Sequence, residues 1–199
     1  MLSKFYVLAL IFFSCGAFGQ ESCLKKAEKL MEQAKKMDAT PARWGKKHLA
    51  LLQDAQNNFI CAAREGNAYA GYEAVTLANQ QLANEIAPEL TVSLLKSAAE
   101  AGHAQAALTL GTYFCGNQVT GCAAPEKAMP WLKRAIELGN STAAISMGQF
   151  FEYGYGSAIN LPKAIGCYQK ASTLGDSNGA TNAARLKDKG VYSAEECLN

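Results

Sequence analysis

The sequence predicts an all-α fold, namely an α-solenoid of about three to four stacked antiparallel helix pairs with a capping helix at its N-terminal end. Two observations support this prediction. Glycines recur roughly every 36 residues, a period typical of helical repeats, at Gly66, Gly102, Gly139 and Gly175. Hydrophobic residues make up 49% of the 199 residues and charged residues 18%, so the chain has enough apolar side chains to build a core.

Similar residues surround each of these glycines at fixed distances. An alanine stands four residues before the glycine and a bulky residue seven before it, and mostly small residues stand four and nine after it. In chain order these columns are Ala62, Ala98, Ala135 and Ala171; Phe59, Leu95, Leu132 and Tyr168; Ala70, Ala106, Ala143 and Gly179; and Val75, Gly111, Gly148 and Ala184. Agreement at several columns indicates that every copy folds in the same way and stacks on its neighbours.

Each unit contains signals for starting and ending helices. A glycine can adopt the left-handed conformation that closes a helix, and the next residue, such as His103, can cap the following helix. Two helices joined so tightly lie antiparallel, and small residues let their backbones approach closely. Asn160 and Pro125 mark the start of the second helix in two units. Pro130 falls about one turn into a helix, which predicts a kink or a late helix start.

Two stretches of the chain resemble a known repeat. Residues 98–106 read Ala-Ala-Glu-Ala-Gly-His-Ala-Gln-Ala, and residues 131–140 read Trp-Leu-Lys-Arg-Ala-Ile-Glu-Leu-Gly-Asn. They resemble the Sel1-like repeat (SLR), a relative of the tetratricopeptide repeat, and a Gly-x-Gly loop before Lys163 fits it too. The resemblance is clear over about residues 88 to 180 and weaker over 46 to 82. It implies stacked helix pairs and says little about function.

Four segments are expected along the chain. They are a signal peptide over residues 1–19, a capping helix and linker over 20–45, the SLR array over 46–190 and a tail over 191–199. The capping helix is indicated by an apolar stripe opposite lysines and glutamates, and a helix lying on a membrane surface is the alternative.

The first 19 residues have the parts of an export signal. Lys4 gives a positive start, and residues 5–14 form an apolar run too short to cross a bilayer. Residues 17–19 (Ala-Phe-Gly) fit the small-x-small motif that precedes a cleavage site, here before Gln20. The alternative is a bacterial lipoprotein signal, in which Cys15 would be acylated and become the mature N-terminus. Either route predicts a periplasmic or secreted protein, or an outer-membrane lipoprotein, with no membrane insertion beyond a lipid anchor.

The cysteines after Cys15 are even in number and follow an export signal, which favours disulfides. Sequence alone leaves fifteen connectivities open, and we expect pairing in chain order. The expected pairs are Cys23–Cys61, Cys115–Cys122 and Cys167–Cys197. A zinc site is the alternative, but the chain has no Cys-x-x-Cys and its two histidines lack ligand spacing, so no metal is expected.

Little in the sequence indicates chemistry. The net charge of +2 gives no electrostatic reason to expect nucleic acid or an anionic membrane as a partner. His48 lies on a lysine-rich stretch, where we expect it to be solvated. Ser93-Leu94-Leu95-Lys96 matches the Ser-x-x-Lys motif of penicillin-binding enzymes, but the partner motifs Lys-Thr-Gly and Ser-Asp-Asn are absent from the sequence. We therefore predict no enzyme and no cofactor, with a β-lactam-active SLR protein as an alternative.

A protein partner is expected on the first helix of each pair, which usually lines the inner surface of a curved solenoid. Positions three, seven and ten residues after each glycine point away from the core and are mostly small, polar and uncharged. With tyrosines beside them, such residues suit a protein groove with aromatic anchors. The predicted partner-binding residues are Tyr69, Glu73, Thr76, Gln105, Thr109, Thr112, Tyr113, Thr142, Ser146, Gln149 and Tyr153.

The resemblance implies a monomeric, exported adaptor or inhibitor that binds another protein. The most specific expectation is an immunity protein that neutralises a secreted antibacterial toxin such as a phospholipase. The alternative within the same fold is a virulence, host-interaction or envelope-regulatory factor.

Overall fold

The computed structural model describes residues 21–37, 45–116, 121–156 and 158–198, and all regular structure in these ranges is helical. The predicted signal peptide, Cys15 and most of the linker after the first helix lie outside the described residues. In chain order the helices are α1 (Cys23–Lys36), α2 (Lys46–Arg64), α3 (Ala68–Asn79), α4 (Pro88–Glu100), α5 (Ala104–Cys115), α6 (Pro125–Glu137), α7 (Ser141–Tyr153), α8 (Leu161–Thr173) and α9 (Ser177–Asp188).

Consecutive helices pack as pairs, α1 with α2, α3 with α4, α5 with α6 and α7 with α8, and each pair contacts the next. Helix α9 packs against α8 at the end of the stack. The predicted α-solenoid is therefore confirmed. The apolar stripe of α1 packs against the rest of the protein, because Ala27 and Ala34 are buried in a core cluster shared with α2. Among the described residues, none of the helices is both long and apolar enough to cross a bilayer.

The glycine that follows each second helix adopts the left-handed conformation that the sequence predicted. Gly102 has a φ of +97°, and the backbone N–H groups of His103 and Gly102 donate to the carbonyls of Ala98 and Ala99 at 2.9 and 3.1 Å. These two bonds form a Schellman motif, which satisfies carbonyls that the helix end leaves free. The same pair of bonds recurs at the other three repeat glycines, with φ between +88° and +99°.

The residue after each glycine caps the next helix. The Nδ1 atom of His103 accepts a hydrogen bond from the backbone N–H of Ala106 at 3.1 Å. Asn140 Oδ1 accepts from Ala143 at 2.9 Å in the following unit, and Asn67 and Asp176 cap their helices in the same manner. One residue thus completes the end of one helix and the start of the next, which fixes the short connection between them.

Small and bulky columns meet inside each pair. An added Cβ atom at Gly111 would lie 2.9 Å from Leu132, and one at Gly148 would collide with the ring of Tyr168. Leu132 and Tyr168 belong to the bulky column seven residues before the next glycine. The two columns recur together because the bulky side chain of the second helix occupies the space left by the glycine of the first.

Pro130 does not delay the start of its helix, so of the two expected outcomes the late helix start was wrong. Helix α6 begins at Pro125 and continues through Pro130. The proline ring lies on the exposed side of the helix, whereas Ala128 and Leu132 are buried against α5. Packing of that apolar face holds the helix together despite the backbone hydrogen bond that a proline cannot donate.

All three expected disulfides are present. Cys23–Cys61 ties the start of α1 to the end of α2. Cys115–Cys122 closes the loop between α5 and α6. Cys167–Cys197 holds the C-terminal tail against α8, where the tail also donates from the Glu195 N–H to the Pro162 carbonyl at 3.1 Å.

Candidate partner-binding face

The predicted partner-binding residues lie on α3, α5 and α7, the first helices of three consecutive pairs, or on the exposed ends of those helices. Each helix has buried alanine or glycine residues on one side, and the predicted residues occupy another side. Of the eleven, Thr76, Thr109 and Ser146 are half-buried. The others are exposed, namely Tyr69, Glu73, Gln105, Thr112, Tyr113, Thr142, Gln149 and Tyr153.

Polar contacts connect these helices at their N-terminal ends. The side-chain amide of Asn140, which caps α7, donates to Oε1 of Gln105 on α5 at 3.1 Å. The hydroxyl of Tyr69 on α3 donates to the carbonyl of Ala101 at 3.2 Å, and its ring lies 5.2 Å from the imidazole of His103. These contacts keep the predicted rows on α3, α5 and α7 next to one another.

A cavity of about 270 Å³ opens toward the C-terminal ends of α5 and α7. Four predicted residues line it, Thr112, Ser146, Gln149 and Tyr153. The cavity also contacts residues outside the predicted binding set, namely Cys115, Gly116, Gly121, Leu132, Phe150 and Tyr155, of which Tyr155 was expected at the edge of the row. The structure therefore brings part of the predicted row together around one concave, partly apolar site.

Aromatic rings form one wall of this cavity. Tyr155 meets Phe150 edge to face with 5.9 Å between ring centroids, and Tyr153 lies 5.6 Å from Tyr155. Tyr153 is 53% exposed although its ring takes part in this cluster. An exposed tyrosine held by neighbouring rings offers a large contact area with little further loss of side-chain freedom on binding.

Tyr69 and Glu73 are not part of that cavity. They line a second one, about 430 Å³ in volume, between α1 and α3. Six of the eleven predicted residues thus line one of two separate cavities, and the other five line neither. Tyr113 packs its ring against Phe114 at 6.1 Å and is 40% exposed beside the first cavity rather than in it.

Sequence reasoning missed a buried ion pair that joins the last three helices. Arg185 on α9 donates from both terminal nitrogens to the carboxylate of Glu152 on α7, each at 2.7 Å. The hydroxyl of Tyr168 on α8 donates to the same carboxylate at 2.7 Å. A signal was present, because Glu152 follows Gly148 by four residues and so lies on the helix face that is buried.

Burial and hydrogen bonding act in opposite directions on Glu152. Burial raises the pKa of its carboxyl group, but the hydrogen bonds from Arg185 and Tyr168 and the charge of Arg185 outweigh burial, so that the pKa lies below its usual value. The pKa of Tyr168 is raised by burial first and then by its bond to the Glu152 carboxylate. Glu152 is therefore ionised and Tyr168 neutral at neutral pH, as a structural pair requires.

The residues considered for chemistry do not assemble a reaction centre within the part of the chain that the structure describes. Ser93 and Lys96 are exposed on α4, and Lys96 forms a surface ion pair with Glu100 at 3.8 Å. His48 is buried, at 7% exposure, so its predicted solvation was wrong. It shares a buried face of α2 with Leu52 and Phe59, which follow it by four and eleven residues. This helical spacing predicts its burial better than the lysines beside it in sequence.

In one group of three potential metal ligands, two of the ligand atoms are already bonded to each other. The sulfurs of Cys23 and Cys61 and a carboxylate oxygen of Glu65 lie within 4.8 Å of one another. The two sulfurs are joined in a disulfide, however, and a disulfide offers no thiolate to a zinc ion.

Stacked antiparallel helix pairs, closed by Schellman glycines and carrying an exposed polar row, define an α-solenoid repeat protein. Family comparison specifies the class: the model described as Sel1 repeat matches residues 88–103, 104–140 and 141–176. The chain thus contains three matches to the Sel1 repeat, and proteins built from such repeats are generally scaffolds for protein–protein interaction without catalytic activity. No curated protein sequence matches the chain.

Two solved structures share the fold. A Sel1 repeat protein from Oxalobacter formigenes has a TM-score of 0.62 and 20% identity, and the match covers 84% of this chain and 62% of that one. A protective antigen with an SLR fold from uropathogenic Escherichia coli has the same TM-score and identity, with 87% and 35% covered. The chain therefore spans less than two thirds of either protein, and the likeness concerns the fold alone.

Proposed function

We propose that the chain is an exported adaptor or inhibitor that binds another protein through the exposed row on α3, α5 and α7. The cavity beside Tyr153 is the observation that carries this proposal. Its volume of about 270 Å³ is just below the range of ordinary small-molecule pockets, roughly 300–1,000 Å³, and suits one or two anchoring side chains. Tyrosines beside small polar residues are typical of the centre of a protein interface.

Site-specific crosslinking tests this proposal. A photoreactive amino acid replaces Gln149 at the cavity and, as the control, Lys133 on the second helix α6. We expect the probe at position 149 to capture a partner protein from periplasmic extract and the probe at 133 to capture none. Equal capture at the two positions would contradict binding through this face.

A truncated side chain then measures the contribution of the cavity. For the captured partner, Tyr153→Ala is expected to raise the dissociation constant at least about tenfold, the loss of a typical anchor. The control Tyr192→Ala removes an equally large ring from the tail, where Tyr192 is 85% exposed, and should leave affinity unchanged. Similar affinity for both variants and the wild type would reject the cavity as the anchor site.

Within this function, the most specific hypothesis is an immunity protein against a secreted antibacterial toxin such as a phospholipase. It predicts a one-to-one complex with a toxin encoded by a neighbouring gene, and survival of cells that carry both proteins in the periplasm. If that toxin kills cells equally with and without this chain, the immunity hypothesis fails. Capture of a host protein would instead favour a virulence or host-interaction factor.

Export is part of the proposal, and three disulfides are compatible with it because such bonds persist in oxidising compartments. The mass of the mature protein separates the routes. A chain beginning at Gln20 indicates signal-peptide cleavage, and a chain beginning at an acylated Cys15 indicates a lipoprotein. A chain that retains Met1 in the cytoplasm would contradict export by either route.

A further inference from the structure

The cavity between α1 and α3, which we call the α1–α3 cleft, is larger than the cavity between the C-terminal ends of α5 and α7. At the N-terminal ends of the other first helices, the ring of Tyr69 on α3 lies against His103, which caps α5, and Asn140, which caps α7, donates to Gln105 on α5. At the α1–α3 junction a cleft of about 430 Å³ remains, and Phe59 of α2 forms part of its floor. Phe59 is 5% exposed, so the floor lies deep between the two walls.

The floor of the cleft is apolar. Leu24 and Met31 of α1 and Ala70 of α3 line it together with Phe59. The disulfide Cys23–Cys61 fixes the start of α1 to the end of α2, so the wall that carries Leu24 is held in place before any partner binds. A preformed apolar floor lowers the cost of ordering on association and favours an apolar side chain as the occupant.

The rim of the cleft is acidic although the chain as a whole is not. Three glutamates and one lysine line it: Glu28, Glu32 and Lys35 from α1, and Glu73 from α3. The formal net charge of the chain is +2. Long-range attraction would therefore not bring a basic segment to this protein, and any such preference must arise locally at the rim.

A small molecule fits this cleft less well than a peptide segment. Small-molecule sites place a few buried polar groups so that they converge on the ligand. Here the charged groups are exposed at the rim, and Oδ1 of Asn67 already accepts the hydrogen bond that caps α3. The polar groups thus surround an apolar floor, an arrangement that matches an apolar side chain flanked by basic ones.

We infer that the α1–α3 cleft binds a segment of the partner protein in which an apolar side chain is flanked by lysine or arginine. The apolar side chain would lie on Phe59 and Met31, and the basic groups would pair with the rim carboxylates. This inference rests on the proposed protein-binding function and specifies the chemistry of the partner.

The experiment uses the full mature chain with its disulfides intact. The probe is a fluorescent synthetic helical peptide of leucine and lysine, and a peptide with glutamate in place of lysine is its counterpart. Glu32 already pairs with Lys36 at 3.3 Å and is therefore left unchanged. The variant Glu28→Gln with Glu73→Gln removes one carboxylate from each wall of the cleft. The control, Glu89→Gln with Glu126→Gln, makes the same change in net charge on α4 and α6.

We expect the leucine–lysine peptide to bind the wild type and the control variant equally, as measured by fluorescence anisotropy. Binding should weaken at least about tenfold in the Glu28→Gln, Glu73→Gln variant and in high salt. All three proteins should remain folded at the assay temperature, because the replaced groups are exposed. The control should unfold at a slightly lower midpoint than the wild type, because Glu89 and Glu126 lie in the first turns of their helices, where a carboxylate is stabilising. Absent binding, equal binding of the glutamate peptide, or equal weakening in the control variant would each overturn the inference.

Two further outcomes separate this inference from the function on which it rests. A natural partner whose affinity falls with Tyr153→Ala but not with Glu28→Gln and Glu73→Gln would reject the cleft and leave the proposed function standing. Self-association of the chain that the cleft variant abolishes would assign the cleft to a second copy and overturn the inference as well.

Discussion

The two ends of the molecule differ in the interactions that hold their paired helices together. Its buried residues form two clusters, one within α1, α2 and α3 and another that extends from α3 to the C-terminal tail. The second contains the recognised repeats, in which Gly111 and Gly148 let paired helices approach closely. The first lies outside the recognised repeats, and its helix α1 contains no glycine.

The N-terminal unit lacks the close backbone approach of the repeats and has specific bonds in its place. Cys23–Cys61 joins its two helices covalently, and Gln56 of α2 reaches the loop after α3. The C-terminal units also contain disulfides and the Glu152–Arg185 ion pair, but there a glycine of one helix faces a bulky side chain of the next. A unit without that glycine can therefore stay in the solenoid when a disulfide joins its helices.

The largest expected effect comes from removing the N-terminal crosslink. Replacing Cys23 and Cys61 by serine opens a loop of sequence separation 38, which costs about 4 kcal/mol in the chain-entropy model. Thermal unfolding measures the loss. The same replacement at Cys115 and Cys122, with separation 7, should cost only about 2 kcal/mol. Equal losses would remove the distinction between the two ends.

Gly148→Ala tests the shape-based packing of the repeats. The new methyl group would collide with the ring of Tyr168, which its bond to Glu152 prevents from moving aside. We expect the free energy of unfolding to fall by about 3 kcal/mol, at the upper end for overpacked cores. Gly45→Ala is the control: nothing lies within 4 Å of its added Cβ, so denaturant unfolding should show a loss below about 1 kcal/mol.

Glu152→Gln removes the charge that joins the last three helices. Arg185 then keeps a half-buried positive charge without its carboxylate, and we expect a loss of about 2 kcal/mol by chemical denaturation at pH 7. This value is below that for a fully buried pair because Arg185 is 37% exposed. Lys96→Ala, which breaks the surface pair with Glu100, should cost less than about 0.5 kcal/mol.

The same pair predicts how stability depends on pH. The pKa of Glu152 is lower in the folded state than its ordinary value of 4.5, so its contribution is complete above pH 4.5. That contribution disappears as pH falls through the lowered pKa, when the folded carboxylate takes up a proton. The difference in unfolding free energy between the wild type and Glu152→Gln should therefore shrink below pH 4.5 and stay constant from pH 5 to 7. A difference that grows on acidification would contradict this sign.

The sequence predicted the repeats better than it predicted their irregular start. Gly102 and His103 mark a helix end and a helix start by local chemistry, which sequence reveals directly. Pairing of cysteines in chain order also agreed with the structure. Two of the pairs lie near neighbouring helix ends, whereas Cys167 in the middle of α8 bonds to Cys197 in the tail. The cleft beside Tyr69 could not be predicted, since the position of α1 relative to α3 is set indirectly through α2.

Distant contacts explain the other omissions. Glu152 and Arg185 are 33 residues apart in sequence. Glu152 belongs to no repeated column, and Arg185 stands ten residues after Gly175 in a column expected to be exposed, so nothing local connects them. The division of the predicted row between two cavities has the same origin. Positions relative to the glycine show which side of a helix is exposed, but the shape of that side depends on the side chains of neighbouring units.

The smallest expected effect concerns the hydrogen bonds of the N-terminal unit. Gln56 is 1% exposed, and its side-chain amide donates to the carbonyls of Ala74 and Asn84 at 3.3 and 2.8 Å and accepts from the Asn84 N–H at 3.1 Å. Gln56→Leu keeps the volume but loses all three bonds. Because Asn84 is exposed, water can replace two of the bonds, and we expect a loss of about 1 kcal/mol.

Hydrogen exchange distinguishes this effect from a general loss of stability. In Gln56→Leu, the amide of Asn84 and its neighbours should exchange faster, while the amides of α7 and α8 keep their protection. Asn57→Leu, a change at the adjacent exposed position, should alter neither. Faster exchange throughout the stack would mean that Gln56 supports the whole solenoid, and the contrast between a bonded N-terminal unit and shape-packed repeats would then be wrong for this residue.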